Sequence, residues 1–374
     1  MFVLKKVTNK KDIKDFISFP LKLYKNSKYY VPSLYIDEKK IFNDDYVYNK
    51  TCKSNFFLVY AGKNVVGRIQ GILQNTSNLK WKQKRIRFTR FDSINNQEVA
   101  NMLFDALKDF ANELDMDEIV GPLGYSDLER EGLLIEGFEE LGTYEEQYNY
   151  DYYAKLIENY GFVKEIDWFE FKLYPPKEEN KQLISLANKV IKKYDLELII
   201  PKSINYFINN YLDDFFKILD EAYNDIYATV PFTDEMKKQM ISQFKMILKK
   251  DDITIILDKD KKMVGFVLCF SSISKCVQKS KGHITLPFIF RFLKSKYKPN
   301  VIDMALIGVY PYLKSSGVIV PLILRLYDYF KSKKIDHIET NLVLENNYDI
   351  LNLINKFEHV NNKKRRVYIK EIKR

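Results

Sequence analysis

The chain has 374 residues, 46% hydrophobic and 29% charged, with a net charge of +10 and only 13 Gly and 11 Pro. This length exceeds one ordinary core and this balance argues against long disordered tracts, so two globular domains are expected. Three cysteines (52, 269, 276) and three histidines (283, 337, 359), with no CxxC pair and no clustering, leave no basis for a disulfide framework or a metal site.

The N-terminal stretch MFVLKKVTNKKDIKDF lacks a signal-peptide apolar core, and residues 1–100 carry twenty Lys/Arg against eight Asp/Glu. Residues 56–61, a Gly62-Lys63 turn and 64–73 predict a hairpin, and 85–91 alternates as a half-buried strand does. Over 97–114, Val99, Leu103, Leu107, Phe110 and Leu114 share one helical face, and 118–123 reads as a buried strand. Residues 101–150 reverse the charge, with two basic and fourteen acidic side chains. A helix opens at Asn149-Tyr150-Asp151, a strand follows at 167–173, and Tyr174-Pro175-Pro176 ends it. The chain is therefore divided into units 1–175 and 176–374.

The second unit repeats the series. Residues 252–257 and 263–270 predict a hairpin, 302–309 a strand, 318–332 a helix, 337–344 a strand, 347–357 a helix and 365–372 the last strand. Asn347-Tyr348-Asp349 echoes the triplet at 149–151, which supports duplication. Strand–helix–strand order implies right-handed crossovers on a mainly parallel central region, hence an α/β fold. The stretch 271–300 is an insertion whose apolar part, 284–293, reads either as a core helix or as an interfacial segment.

No apolar run approaches the ~20 residues of a membrane helix, so no transmembrane segment and a reducing cytoplasmic setting are expected. The basic residues come without base-reading or stacking motifs, so no nucleic-acid partner is expected. The basic second unit, with 35 Lys/Arg against 23 Asp/Glu over 177–374, suits an anionic ligand such as a nucleotide cofactor.

The segment 307–321, IGVYPYLKSSGVIVP, carries most chemical content. A strand ends at Val309, a loop holds Lys314, Ser315, Ser316 and Gly317, and a helix starts at once. Unsatisfied amides and the helix dipole make such a junction suit phosphate, whereas serine caps would make it an ordinary connection.

Gly308, Val309, Pro311, Lys314, Gly317 and Val318 resemble the acyl-CoA loop of GNAT N-acetyltransferases. Gly121-Pro122, Gly132 to Phe138, Asn149, Tyr152-Tyr153, Gly161-Phe162, Val66-Gly67-Arg68-Ile69 and the opening Phe16-Ile17, Pro20, Tyr24 and Tyr30-Val31-Pro32 resemble bacterial tandem GNAT-like proteins. The resemblance implies two tandem GNAT-like domains, each a mixed central sheet flanked by helices. It further implies that loop amides at Lys314, Ser315, Ser316, Gly317 and Val318 hold the pyrophosphate of acetyl-CoA or another acyl-CoA. The pantetheine arm would pair with Ile307, Gly308 and Val309, and Asn347 would lie beside the cofactor.

The chain departs from the family at Lys314, where Arg or Gln is usual, at Ile319, at Ile354 in place of the acidic tyrosine, and at Glu358-His359 in place of Gly-Phe. The loop at 92–96 has no glycine cradle, so the first copy is expected to hold the acceptor or to be a structural partner. Acyl transfer from a thioester needs alignment, a base and donors for the developing oxyanion. Glu345 is the expected base, with Tyr310 and Tyr368 as candidate proton donors to the thiolate; His283 lies in the insertion, which is expected to close over the acceptor. The implied acceptor is a small-molecule or peptide amine. A catalytically silent binding or scaffold protein and an aminoacyl-transferring enzyme of the Fem type are the competing readings.

Overall fold

The computed structural model describes residues 1–372, and side chains throughout this range except at 332 and 333. The first half runs β1 (Phe2–Lys6), α1 (Lys10–Leu23), α2 (Tyr35–Lys40), β2 (Cys52–Ala61), β3 (Asn64–Gln74), α3 (Asn75–Trp81) and β4 (Arg85–Ser93). It continues with α4 (Gln97–Glu113), β5 (Glu118–Gly121), β6 (Leu133–Glu136), α5 (Tyr152–Asn159) and β7 (Val163–Tyr174). The second half runs α6 (Lys181–Tyr194), β8 (Glu197–Ile199), α7 (Ile204–Tyr223), α8 (Asp234–Ile247), β9 (Ile253–Leu257), β10 (Met263–Ser271), α9 (Ser274–Ser280) and α10 (Leu286–Tyr297). It ends with β11 (Val301–Val309), α11 (Ile319–Lys333), β12 (His337–Glu339), β13 (Val343–Leu344), α12 (Tyr348–Ile354) and β14 (Glu358–Glu371).

Among the described residues these strands form one mixed sheet, ordered β1-β2-β3-β4-β5-β14-β7-β12-β11-β10-β9-β8, with β6 on β14 and β13 on β7. The expected mainly parallel centre is not what forms. The parallel pairs described are β4–β5 and β11–β12, while the centre is the long antiparallel pair β14–β7. The cause is an exchange of final strands: β7 leaves the first half to pair with β12 and β13, and β14 leaves the second to pair with β5 and β6.

Two apolar cores flank this seam, one for each half. In the first, α4 buries Val99, Leu103, Leu107 and Phe110, the face its spacing predicts. Gly67 and Gly71, on the same face of β3, let that helix lie close: a Cβ at either would come within 2.7 Å of Val99 or Leu107. In the second core, α11 contributes Leu322, Ile323, Leu326 and Phe330.

The strand predicted over 337–344 is divided into β12 and β13. The NYD echo also proves unequal in role. Buried Asn149 bridges the Leu134 amide (2.8 Å) and carbonyl (3.0 Å), three residues before α5, whereas Asn347 caps α12 directly. The 271–300 insertion folds as α9 and α10, and Ile273, Cys276, Val277 and Phe288 pack against Val31 and Leu34 of the first half.

Candidate active site

Strand β11 meets β12 in parallel only at Val301–His337, Ile302–Ile338 and Asp303–Glu339. The next residue, Thr340, turns to the far strand: its amide donates to the Phe171 carbonyl (2.8 Å) and its hydroxyl accepts from the Phe171 amide (2.9 Å). Val343 and Leu344 then pair with Phe169 and Trp168. Among the described residues β11 from Met304 onward therefore keeps β10 on one side and has no strand on the other. Two side chains reach into the gap, Asn341 donating to the Ala305 carbonyl (3.3 Å) and the Tyr223 hydroxyl to the Ile307 carbonyl (3.2 Å). Burial pushes the Tyr223 hydroxyl up to about 12.

Ile307, Gly308 and Val309 pair with Val267, Phe266 and Gly265 and lead into a short 3-10 turn over Pro311–Ser316. Gly317 follows with φ +78°, a left-handed conformation that favours glycine. Val318 is fully buried and precedes α11, whose N-terminus has no side-chain cap. Ser316 accepts from the Val318 amide, at 3.4 Å, and donates to the Leu313 carbonyl. Lys314 is exposed and ion-paired with Asp349 at 2.6 Å. Asn347 accepts from the Ile350 amide at 3.4 Å, the work of a helix cap.

The first half shows the same parting, since β4 and β5 pair only over Arg85–Arg87 and Glu118–Val120. Its helix junction is closed. Asn96 caps α4 by accepting from the Val99 amide (3.1 Å), and the Tyr153 hydroxyl accepts from the Ser93 amide (3.1 Å). Tyr152 donates to the Ser93 carbonyl (2.7 Å), and Asp92 is held by Arg68 and Tyr24.

The three candidate catalytic residues are not brought together. Tyr310 lies at the end of β11, buried and stacked on Tyr312 with centroids 5.3 Å apart; burial, with Asp214 and Glu221 adding, raises it to about 12. Glu345 lies at the edge of β7, ion-paired with Lys164 (2.7 Å) and accepting from the Asp167 amide (3.2 Å), so its carboxylate is already engaged. Tyr368 is carried by β14 into the first core, where it pairs with Gly121 and donates to Glu158 at 2.8 Å. Strand exchange is what removes it from the second-half loop.

A buried acidic cluster that no sequence motif marks lies at the seam. Asp303, at the foot of the β11–β12 parting, is 4% exposed, and among the described residues neither of its carboxylate oxygens has a hydrogen-bond donor. Burial raises it well above the carboxylate range, Glu145 and Glu339 push the same way, and Ser272 and Lys363 oppose them only in part. Glu131 and Glu146, from the acidic stretch of residues 101–150, are 5% and 4% exposed; among the described residues one Glu131 oxygen has no hydrogen-bond partner, and Glu146 lies 3.9 Å from Arg365. Burial brings Glu146 up to about 8 against the pull of Arg365. Below them, Glu170 binds Lys363 and Arg365, and Lys363 also reaches Glu339 at 3.2 Å.

No family model matches the chain. It is 25% identical over 375 residues to Protein YghO of Escherichia coli K12, covering 97% of this chain and 94% of that one. It is 22% identical over 287 residues to the bacterial ceramide synthase of Caulobacter vibrioides, covering 74% and 71%. A solved tandem GNAT protein from the clavulanic acid biosynthesis pathway superposes on all of this chain and 99% of its own with a TM-score of 0.60, at 8% identity. The fold is that of a tandem GNAT protein. The parted strands β4/β5 and β11/β12 are the same feature occurring once in each half. Among the described residues only the second parting is followed by a glycine at positive φ and a helix N-terminus without a side-chain cap.

Proposed function

We propose that the protein is an N-acyltransferase that takes an acyl group from an acyl-CoA, held by the second half, and gives it to a long-chain amine. The observation that carries this is the asymmetry of the two partings: the second has a free β11 edge and an uncapped α11, whereas Asn96, Tyr152 and Tyr153 close the first. The β11 edge from Met304 to Val309, where Asn341 and Tyr223 occupy only the Ala305 and Ile307 carbonyls, offers its remaining backbone groups to an amide-bearing arm, and the junction at Ser315–Gly317 offers amides and the helix dipole to a pyrophosphate. Gly317 leaves that backbone uncovered, since a Cβ there would touch only Val190, at 3.5 Å. The thioester supplies the activated acyl group; the chain's part is to align the amine and take its proton.

We assign the proton acceptor to Asp303 in place of Glu345. Among the described residues its two oxygens have no hydrogen-bond partner, and it stands where β11 and β12 part. Glu345 already holds Lys164. The ammonium form of an amine would find Glu131, one of whose oxygens has no hydrogen-bond partner among the described residues, with Glu146 close by at the same seam. The tandem GNAT neighbour supports acyl-CoA use, and the likeness to a ceramide synthase supports an acceptor of the long-chain amino-alcohol kind. Division into units 1–175 and 176–374, the first holding no cofactor, belongs to the same reading.

The test is acyl transfer from short- and long-chain acyl-CoAs to a long-chain amino alcohol, followed by thiol release. Turnover should be seen, and Asp303→Asn should lower kcat by about 10²–10³-fold while acyl-CoA affinity is kept. Glu345→Gln should change kcat less than about threefold, as the loss of an exposed ion pair would. Full activity in Asp303→Asn would refute the assignment, and absence of any CoA release would favour the silent scaffold.

A further inference from the structure

We propose that the outward face of α10 docks the protein onto an anionic lipid bilayer. This helix has two apolar faces. Phe288 and Phe292 face inward with the α9 cluster, and Ser295 on the same side donates to the Ser272 carbonyl at 2.7 Å. On the other side Leu286, Ile289, Phe290, Leu293 and Tyr297 are 73%, 41%, 74%, 43% and 67% exposed. Their spacing, i, i+3, i+4, i+7 and i+11, makes one continuous stripe along the helix. Single exposed apolar residues are common, but five in a stripe on a helix already anchored by its opposite face mark an interaction surface. Ile284 before the helix and Met246 at the end of α8, whose carbonyl accepts from Lys296, are also more than half exposed.

The charge around the stripe selects the occupant. Residues 271–300 contain seven Lys/Arg and no Asp or Glu. Among the described residues Lys275, Lys279, Lys281, Arg291, Lys294 and Lys298 form no ion pair. At 100° per residue, Arg291, Lys294 and Lys298 fall beside the apolar stripe, between the outward and inward faces. An apolar face with a basic margin is the pattern of a helix lying in a lipid headgroup layer. A second copy of this chain would set one basic margin against another, whereas an anionic bilayer neutralises it. No helix among the described residues is long and apolar enough to cross a membrane, so α10 would lie in the surface plane. The proposal does not depend on the acyl-transfer reading, although a surface-bound enzyme would meet a long-chain amine where such amines collect.

The test is flotation of the full-length protein with vesicles of phosphatidylcholine alone and of equal parts phosphatidylcholine and phosphatidylglycerol. The mixed vesicles should bind the protein about tenfold more strongly than the neutral ones, with the difference lost at high salt. Phe290→Glu and Leu286→Glu should each reduce binding to the mixed vesicles about tenfold without moving the melting temperature, since both side chains are already exposed. Exposed Leu128→Glu should leave binding unchanged. Failure of the wild type to bind the mixed vesicles, or undiminished binding by Phe290→Glu, would overturn the proposal. So would a dimer in sedimentation that Phe290→Glu dissociates.

Discussion

Glu146 shows how a single residue departs from its reading in the sequence. It stands in a stretch with fourteen acidic side chains over residues 101–150, a charge that favours the surface, yet it is buried beside Arg365 at a distance of 3.9 Å. Asp303 is similar: the one acid in an otherwise apolar strand, it is buried where β11 pairs with both β10 and β12. Neither burial was readable, because both depend on contacts between distant segments. They have a pH consequence. Glu146 sits near 8 in the folded protein against 4.5 for its ordinary value, so its contribution is complete below about pH 4.5 and is lost as pH rises toward 8. Glu38 and Glu339 act in the opposite sense. Burial works to raise both, but Arg90 and Arg68 around Glu38, and His337 and Lys363 around Glu339, outweigh it and hold each near 2. Their contribution is present above 4.5 and lost as pH falls toward 2. Urea midpoints should therefore peak at about pH 5, and Glu146→Gln should flatten the decline between about pH 5 and 8. An equally steep decline in that variant would contradict the account.

Most elements follow from local pattern, and their ends follow from caps. The hairpins, the buried face of α4 and the start of α11 all appear within a few residues of where period and punctuation put them. The division of 337–344 does not, since nothing in HIETNLVL marks Thr340 as the point where the chain changes partner. That change is fixed by Phe171 across the seam. Nor does any local signal bring Tyr223, the last residue of α7, to the Ile307 carbonyl. The loop residues Lys314 to Val318 were readable as a junction, but the ion pair of Lys314 with Asp349 was not. At this scale the two helix junctions give opposite expectations. Asn96→Ala removes the cap of α4 and should cost about 1 kcal/mol in denaturant unfolding, with acyl-CoA affinity unchanged. A large loss of affinity in Asn96→Ala would mean that the first junction, not the second, holds the ligand.

Over the whole molecule, the duplication is visible in the sequence but the exchange of terminal strands is not. Pairing partners in a sheet are set by tertiary packing, and a strand's own pattern shows which face is buried, not which neighbour it takes. Because β14 completes the first half and β7 completes the second, fragments 1–175 and 176–374 should each fail to fold alone, and should form a stable complex when produced together. Two independently folded monomers, seen as dispersed amide spectra, would be inconsistent with the exchange. The same asymmetry between halves underlies the central claim, that the second junction alone receives an acyl-CoA. The most direct measurement is calorimetric titration of the intact chain with acetyl-CoA and a long-chain acyl-CoA. One site per chain is predicted. It should be abolished by Gly317→Trp, which forces a side chain into a left-handed position at a cost of about 1–2 kcal/mol and covers the junction, and be unaffected by substitutions at 92–96. Binding that survives Gly317→Trp, or disappears on changing 92–96, would contradict the account.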